Sequence, residues 1–347
     1  MIQHRAPISG IAAFKDHYVA TAGYDNQVIL WDSKIYTAIA VGRHDHLANQ
    51  CEFSPCGHYL VSTSSDYTAR LWRVPSMQLV AVLGYHQDDV ETAVFHPTQP
   101  WIVTASRDKI VRLFDFQGHL IRRFMGHERD VISVAWLGRD ALLSCSDDGT
   151  VRQWDIHTAK QTAIIDLGGV ETDTIVIHPE GTIFAGNDEG NIVVIADNGM
   201  VSICAHESGI KKLCYSFSKK VLVSLSYDRN IIVWKVNSKN ELSKIRSARL
   251  PNCVWARSCA FLGNNKLVLA TFGSHYAIYD YKNDRWMADE VKETHGINAL
   301  LIKDNKTISV GDSGIVYIDG LAHLKLPGLC NFLLAFADTV IAGGQTG

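Results

Sequence analysis

No stretch of the sequence approaches 18 uninterrupted apolar residues, and its start, Met1-Ile2-Gln3-His4-Arg5, lacks the apolar core a signal segment needs. Membrane insertion is therefore not expected. Basic residues give no surplus: 33 Lys and Arg stand against 36 Asp and Glu, a formal net charge of -3. A nucleic-acid partner, which is met by an excess of positive charge, is not expected either. The eight cysteines include no Cys-x-x-Cys pair, so neither a zinc knuckle nor a disulfide framework is indicated. Six of them (Cys51, Cys145, Cys204, Cys214, Cys259 and Cys330) fall in or beside expected strands, where a thiol behaves as a small hydrophobe. Reduced thiols and a cytoplasmic location follow as expectations. Phosphate-cradling loops of the Gly-x-Gly-x-x-Gly or Walker type are absent, and no carboxylate pair stands apart from turn aspartates. No cofactor, metal or catalytic constellation is expected, and the chain reads as a non-enzyme.

What the sequence has in abundance is repetition. Trp31, Trp72, Phe114, Trp154, Ile195, Trp234, Tyr279 and Ile318 fall 39–45 residues apart, each closing a β-branched or apolar run. A period of about 40 residues marks a repeat architecture, which explains how 347 residues can form one body. His4, His44, His86, His127, His206 and His295 open units in the same rhythm, while the fifth and seventh units begin without histidine near Gly169 and Asn252. Within a unit the pattern is four short strands separated by turns. Third strands such as Ile231-Ile232-Val233-Trp234 are apolar on both faces, and fourth strands such as 120–125 and 161–165 are more polar, as an outer edge requires. No helical stripe competes. Four antiparallel strands per unit, repeated radially, describe β-propeller blades. The expected fold is all-β, a propeller of seven or eight blades (eight by the count of closers). The expected units are 4–43, 44–85, 86–126, 127–168, 169–205, 206–251, 252–294 and 295–328. A partial unit, 329–347, follows, and because it stops mid-blade the natural chain is expected to continue beyond Gly347.

These motifs resemble the WD-repeat β-propeller family along essentially the whole chain. The resemblance implies a buried network in each good blade, of opener His, turn Asp, strand Ser or Thr, and closer Trp. It assigns His44, Ser64, Asp66 and Trp72 to one blade, His127, Ser146, Asp148 and Trp154 to another, and His206, Ser226, Asp228 and Trp234 to a third. His86, Ser106 and Asp108 fit a fourth in which Phe114 removes the indole donor; His4, Asp25 and Trp31 fit a first in which Gly23 occupies the hydroxyl position. Such residue types saturate one another: the imidazole meets a carboxylate and a hydroxyl, and the hydroxyl meets an indole N–H. Glu189 and Ile195 break the pattern in the fifth unit and Gly273 in the seventh, so those blades should rest on packing.

The same resemblance implies a protein-interaction scaffold that binds proteins or peptides with loops around the ring. The residue before each turn aspartate should border the channel on the partner-binding face, giving Tyr24, Ser65, Arg107, Asp147, Asp188 and Tyr227. Trp255 and Arg257 add an aromatic and a cation next to the least regular units, and such residues suit interface anchors. Lys211 and Lys212 read as solvated residues at the start of a strand. A sensor or regulatory module of a longer protein is the alternative, and an enzyme acting at the channel mouth a third reading. Gly311-Asp312-Ser313-Gly314 and His44-Asp45-His46 read as turn and network residues rather than as a nucleophile loop or a metal site.

Overall fold

The computed structural model describes residues 2–197, 199–263, 265–289, 291–292, 296–326, 329–337 and 339–344. His295, read above as the opener of the eighth unit, and residues 345–347 lie outside them. All regular structure in the described residues is β: eight four-stranded antiparallel sheets, each with its strands in chain order, and one two-stranded sheet formed by Cys330–Phe336 and Thr339–Gly344. This is the expected set of eight units and a partial one.

Burial follows each strand's place in its sheet. The third strand Gln27–Asp32 is buried at five consecutive positions, whereas fourth strands such as Gln161–Asp166 alternate exposed and half-buried residues. Apolar side chains on both faces of the inner strands pack against both neighbours, and this inter-blade packing builds the core. Seven clusters of buried side chains result, each shared by two consecutive blades. One joins Leu30 to Phe53 and Trp72, another joins Phe124 to Val134 and Trp154, and another joins Val233 to Leu267 and Tyr279.

The seventh cluster closes the circle. It packs Ile11, Val19, Ile29 and Trp31 of the first blade against Leu262, Val268, Tyr276 and Ile278 of the seventh. The same seam is stitched by Ile11 N–H to Ser258 Oγ at 3.2 Å, His4 N–H to the Ser274 carbonyl at 3.1 Å and Gly263 N–H to the Lys15 carbonyl at 3.0 Å. The ring thus holds seven blades. The eighth four-stranded sheet, starting at Ile297–Lys303, packs instead on the two-stranded sheet, with Asn298 Nδ2 donating to the Cys330 carbonyl at 3.1 Å. Its spacing matched the others, but its partner is the partial unit rather than the first blade.

Two kinds of bulge recur at fixed places. In every ring blade but the fifth and seventh, the third-to-fourth strand pairing slips just before the closer, at Trp31, Trp72, Phe114, Trp154 and Trp234. Ile195, the small closer of the fifth blade, and Tyr279, the closer of the seventh, sit in unbroken ladders. The second kind lies in the first strand and, as shown next, shapes the channel mouth.

Candidate functional site

The histidine networks form, but with different hydroxyls from those expected. Trp72 Nε1 donates to Ser62 Oγ at 2.8 Å, and His44 Nε2 meets the same oxygen at 2.7 Å. Ser144 and Ser224 take this place in the fourth and sixth blades. Ser64, Ser146 and Ser226 are therefore corrected: their hydroxyls cap the turn, accepting the N–H of Asp66, Asp148 and Asp228 at 2.9–3.1 Å. The reason is reach. Trp72 pairs across the ladder with Leu60, so Ser62 lies about 7 Å along the strand and Ser64 about 13 Å. An indole spans the first distance and not the second. In the first blade the hydroxyl is that of Thr21, bonded by His4 and Trp31, so Gly23 does not break that network.

Electrostatics hold these networks in one protonation state. His44 Nδ1 lies 2.9 Å from Asp66, which can only accept, so Nδ1 carries the proton, Nε2 accepts from the serine, and the serine accepts from the indole. Burial pushes the pKa values of His44, His127 and His206 down, against the opposing pull of their aspartates. Burial alone would raise the Asp148 carboxyl, but hydrogen bonds from Thr150, His127 and the Glu128 backbone override it and hold it at about 2. The third blade differs. Arg112, buried, donates to His86 Nδ1 at 2.7 Å and to Asp108 at 2.9 Å. Since arginine cannot accept, His86 must carry its proton on Nε2 and donate to Thr104 Oγ1 at 2.8 Å. The inverted tautomer supplies the hydroxyl with a donor that the missing indole at Phe114 does not.

Of the residues before the turn aspartates, Arg107, Asp147 and Asp188 line one cavity together with Glu91, Asp173, Lys211 and Arg257, and a second row of residues meets the pre-turn positions. In six of the seven ring blades the first strand carries a one-residue bulge at its second position: Ser9, Asn49, Glu91, Ile132, Asp173 and Lys211. The seventh has a longer irregularity beginning at Trp255. A bulge re-aims its side chain, here beside the turn residues. Ser65 is bonded to Asn49 at 3.3 Å. Glu91 binds Arg107 at 2.6 Å and Arg257 at 3.4 Å. Lys211 pairs with Asp173 and, at 2.6 Å, with Asp188, while lying 5.0 Å over the Tyr227 ring. This corrects its reading as a solvated residue; Lys212 likewise lines the channel. Trp255 stacks on Phe272 at 5.4 Å, meets Tyr24 edge-on at 5.3 Å, and packs with Leu329.

One position stands out. Asp147 lines the same cavity as the apolar bulge residue Ile132, and among the described residues its carboxylate makes no hydrogen bond or ion pair. Arg129 bonds the Asp147 carbonyl at 2.9 Å and directs its other nitrogen to Glu171 at 2.6 Å. Burial, then the charges of Asp173, Glu171 and Asp130, push its pKa up to about 7. The mouth is thus divided, with aromatic and guanidinium groups on the side of blades one, six and seven and an acidic side at blades four and five. Glu91, Asp173, Lys211 and Phe272 were not read as site residues from the sequence. For Glu91, Asp173 and Lys211 the signal was a polar residue at the second position of an inner strand, hidden because the bulge breaks the alternation. Phe272 follows the second strand Lys266–Thr271 and holds the seventh blade's pre-turn position, before Gly273.

Comparison with known proteins agrees with this architecture. Residues 109–319 match the family model for the DDB1- and CUL4-associated factor 12 beta propeller. Residues 1–32, 40–73 and 77–115 match the WD domain, G-beta repeat model. The chain is 28% identical over 215 residues to WD repeat-containing protein 37 of Xenopus laevis, covering 57% of this chain and 43% of that protein. It is 24% identical over 247 residues to Target of rapamycin complex subunit wat1 of Schizosaccharomyces pombe, covering 67% and 77%. The matched region thus spans less than half the length of the first of these relatives. On these matches, over a ring of blades closed by His–Asp–hydroxyl–Trp networks, the chain belongs to the WD-repeat β-propeller family, with a propeller of the DDB1- and CUL4-associated factor 12 type.

Proposed function

We propose that this propeller is a non-catalytic, cytoplasmic platform that captures a protein or peptide partner at the divided channel mouth. The observation that carries the reading is Asp147. Six of the seven pre-turn positions are matched by a bond, an ion pair or a ring contact with a bulge residue, and this carboxylate is left half-buried and unmatched among other negative charges. A partner presenting Lys or Arg to Asp147 and an apolar group to the Tyr227 and Trp255 side satisfies both halves. The cation gains a charge-assisted bond, and the aromatics supply contact area at low entropic cost. Rigid display suits the ring, since the mouth residues stand on bulges of inner strands and on the tight turns that end the second strands, and these strands are locked by packing on both sides. Two names support a place in assemblies: the matching family model is that of a factor associated with DDB1 and CUL4, and one relative is a subunit of a target of rapamycin complex.

The test is quantitative affinity capture with Asp147→Asn, Arg257→Ala and Tyr227→Ala against wild type, with thermal melts alongside. The reading expects shared loss of the same captured proteins from all three at unchanged melting temperature. Capture indifferent to all three would move the interface off the mouth.

A further inference from the structure

Below the charged mouth the channel widens into a cavity of about 730 Å³ bounded by the first strands of all seven blades. Three thiols line it: Cys51, Cys214 and Cys259. Cys214 lies on Ile210–Ser216 of blade six and Cys259 on Val254–Leu262 of blade seven, neighbouring inner strands not hydrogen-bonded to each other. Their sulfurs are 3.6 Å apart. Cys214 Sγ also lies 2.8 Å from the Cys259 carbonyl oxygen. Cys214 is half-buried, with its accessible side on the channel, whereas Cys259 is 1% exposed.

We propose that Cys214 and Cys259 form a dithiol that small two-electron oxidants of the peroxide class, entering by the channel, convert to a disulfide bridging blades six and seven. The sulfurs need to approach by about 1.5 Å to reach bonding distance, a shift within the range of side-chain rotation on two adjacent strands. The Cys214 thiolate attacks a peroxide oxygen, breaking the O–O bond and giving a sulfenic acid and hydroxide, which takes the proton Cys214 released. Cys259 sulfur then attacks the sulfenyl sulfur; the S–S bond forms as hydroxide leaves and takes up the Cys259 proton. Two thiols and one hydrogen peroxide yield one disulfide and two waters.

Geometry assigns the roles within the pair. Cys259 directs its S–H at the Cys214 sulfur, and with the Lys212 charge nearby this lowers the Cys214 thiol against the cost of burial. Cys259 is pushed the other way, by the same hydrogen bond and by burial. Cys214 is therefore the attacking thiol and Cys259 the resolving one. Cys51, the third channel thiol, points to the Ala20 carbonyl at 3.5 Å and is pushed up to about 12 by burial, so it stays a bystander. The bond would fasten together the two strands that carry Lys211 and Trp255, and so would stiffen one side of the mouth.

The experiment exposes reduced protein to a few equivalents of hydrogen peroxide, blocks the remaining thiols with iodoacetamide, and maps non-reduced peptides by mass. The expected result is a Cys214–Cys259 cross-link and a fall from eight alkylated thiols to six, reversed by dithiothreitol. Cys259→Ala should leave Cys214 as a sulfenic acid that dimedone traps, and Cys214→Ala should leave no dimedone adduct at Cys259. Should either variant fail to fold, the wild-type map alone decides. Cys214 and Cys259 remaining fully alkylatable while the exposed Cys56 and Cys204 oxidise would overturn the proposal, as would either sulfur bridging to another cysteine.

Discussion

Substituting one serine at a time in a single strand tests the network assignment where sequence and structure disagree. In the fourth blade, Ser144 Oγ joins His127 Nε2 at 2.7 Å and Trp154 Nε1 at 2.8 Å, all three buried, while Ser146 Oγ caps the Asp148 N–H at 3.1 Å. Ser144→Ala strands a ring nitrogen and an indole N–H in a dry interface. Each orphaned group costs about 1–3 kcal/mol, so the loss should be about 3 kcal/mol. Ser146→Ala removes the acceptor of the Asp148 N–H and a donor to the Arg129 carbonyl at 3.3 Å. Both backbone groups are only part-buried at the end of a turn where water can replace the hydroxyl, so it should cost about 1 kcal/mol. For a chain of 347 residues the unfolding entropy makes 1 kcal/mol worth about 1.4 °C, so the melting temperatures should fall by about 4 °C and about 1 °C respectively. Differential scanning fluorimetry of both variants, repeated for Ser62 with Ser64 and for Ser224 with Ser226, gives three independent comparisons. Equal shifts, or a larger loss at Ser146, would refute the assignment of hydroxyls.

Other expectations follow from the same geometry. Nitrogen-15 spectra should show His44, His127 and His206 protonated on Nδ1 and His86 on Nε2; a common tautomer would discard the Arg112 account. Arg112→Leu should cost about 3 kcal/mol, because it leaves the Asp108 carboxylate buried without its cation. Trp154→Ala should cost about 3–5 kcal/mol through the cavity it leaves, and Tyr24→Ala markedly less, because Tyr24 is only partly buried where it packs on the Trp255, Phe272 and Leu329 cluster. Glu52, facing the channel, has its pKa raised to about 7 by burial, against a Phe95 backbone hydrogen bond and the Lys212 charge. An acid raised in the folded state stabilises below its unfolded pKa, and that stability is lost as pH rises through 4.5 toward 7. Glu52→Gln should therefore raise the melting temperature at pH 8 and leave it unchanged at pH 4, with a gain of no more than about 3 kcal/mol because channel water screens the charge.

Much of this molecule was legible in its sequence for a simple reason. Closers such as Trp72 and openers such as His44 recur at the spacing a four-stranded blade imposes, and large buried rings are hard to disguise. Ring closure was not legible, because the eighth unit keeps the same spacing while its inner strand pairs with the partial sheet. What decides is side-chain fit: Ile11 and Trp31 match Leu262 and Tyr276, a long-range relation that no local pattern announces. The hydroxyl row was ambiguous since serines occupy both Ser62 and Ser64, Ser144 and Ser146, and Ser224 and Ser226; only the cross-strand register separates them. The candidate site was half visible. Turn residues stand beside a readable aspartate, but Glu91, Asp173 and Lys211 lie on bulges, and an inserted residue erases the alternation by which a side chain's direction is read.

The central claim is that partners are met at the mouth and the rest of the ring is support. The most direct measurement is site-specific photo-crosslinking in a native cell lysate, with benzoylphenylalanine replacing either Tyr227 at the mouth or Leu79 on an outer strand. These two residues are almost equally accessible, at 43% and 44%, so exposure cannot explain a difference. The account predicts discrete cross-linked adducts from position 227 that Asp147→Asn diminishes, and a background level from position 79. Equal labelling from both, or adducts from position 79 alone, would contradict it.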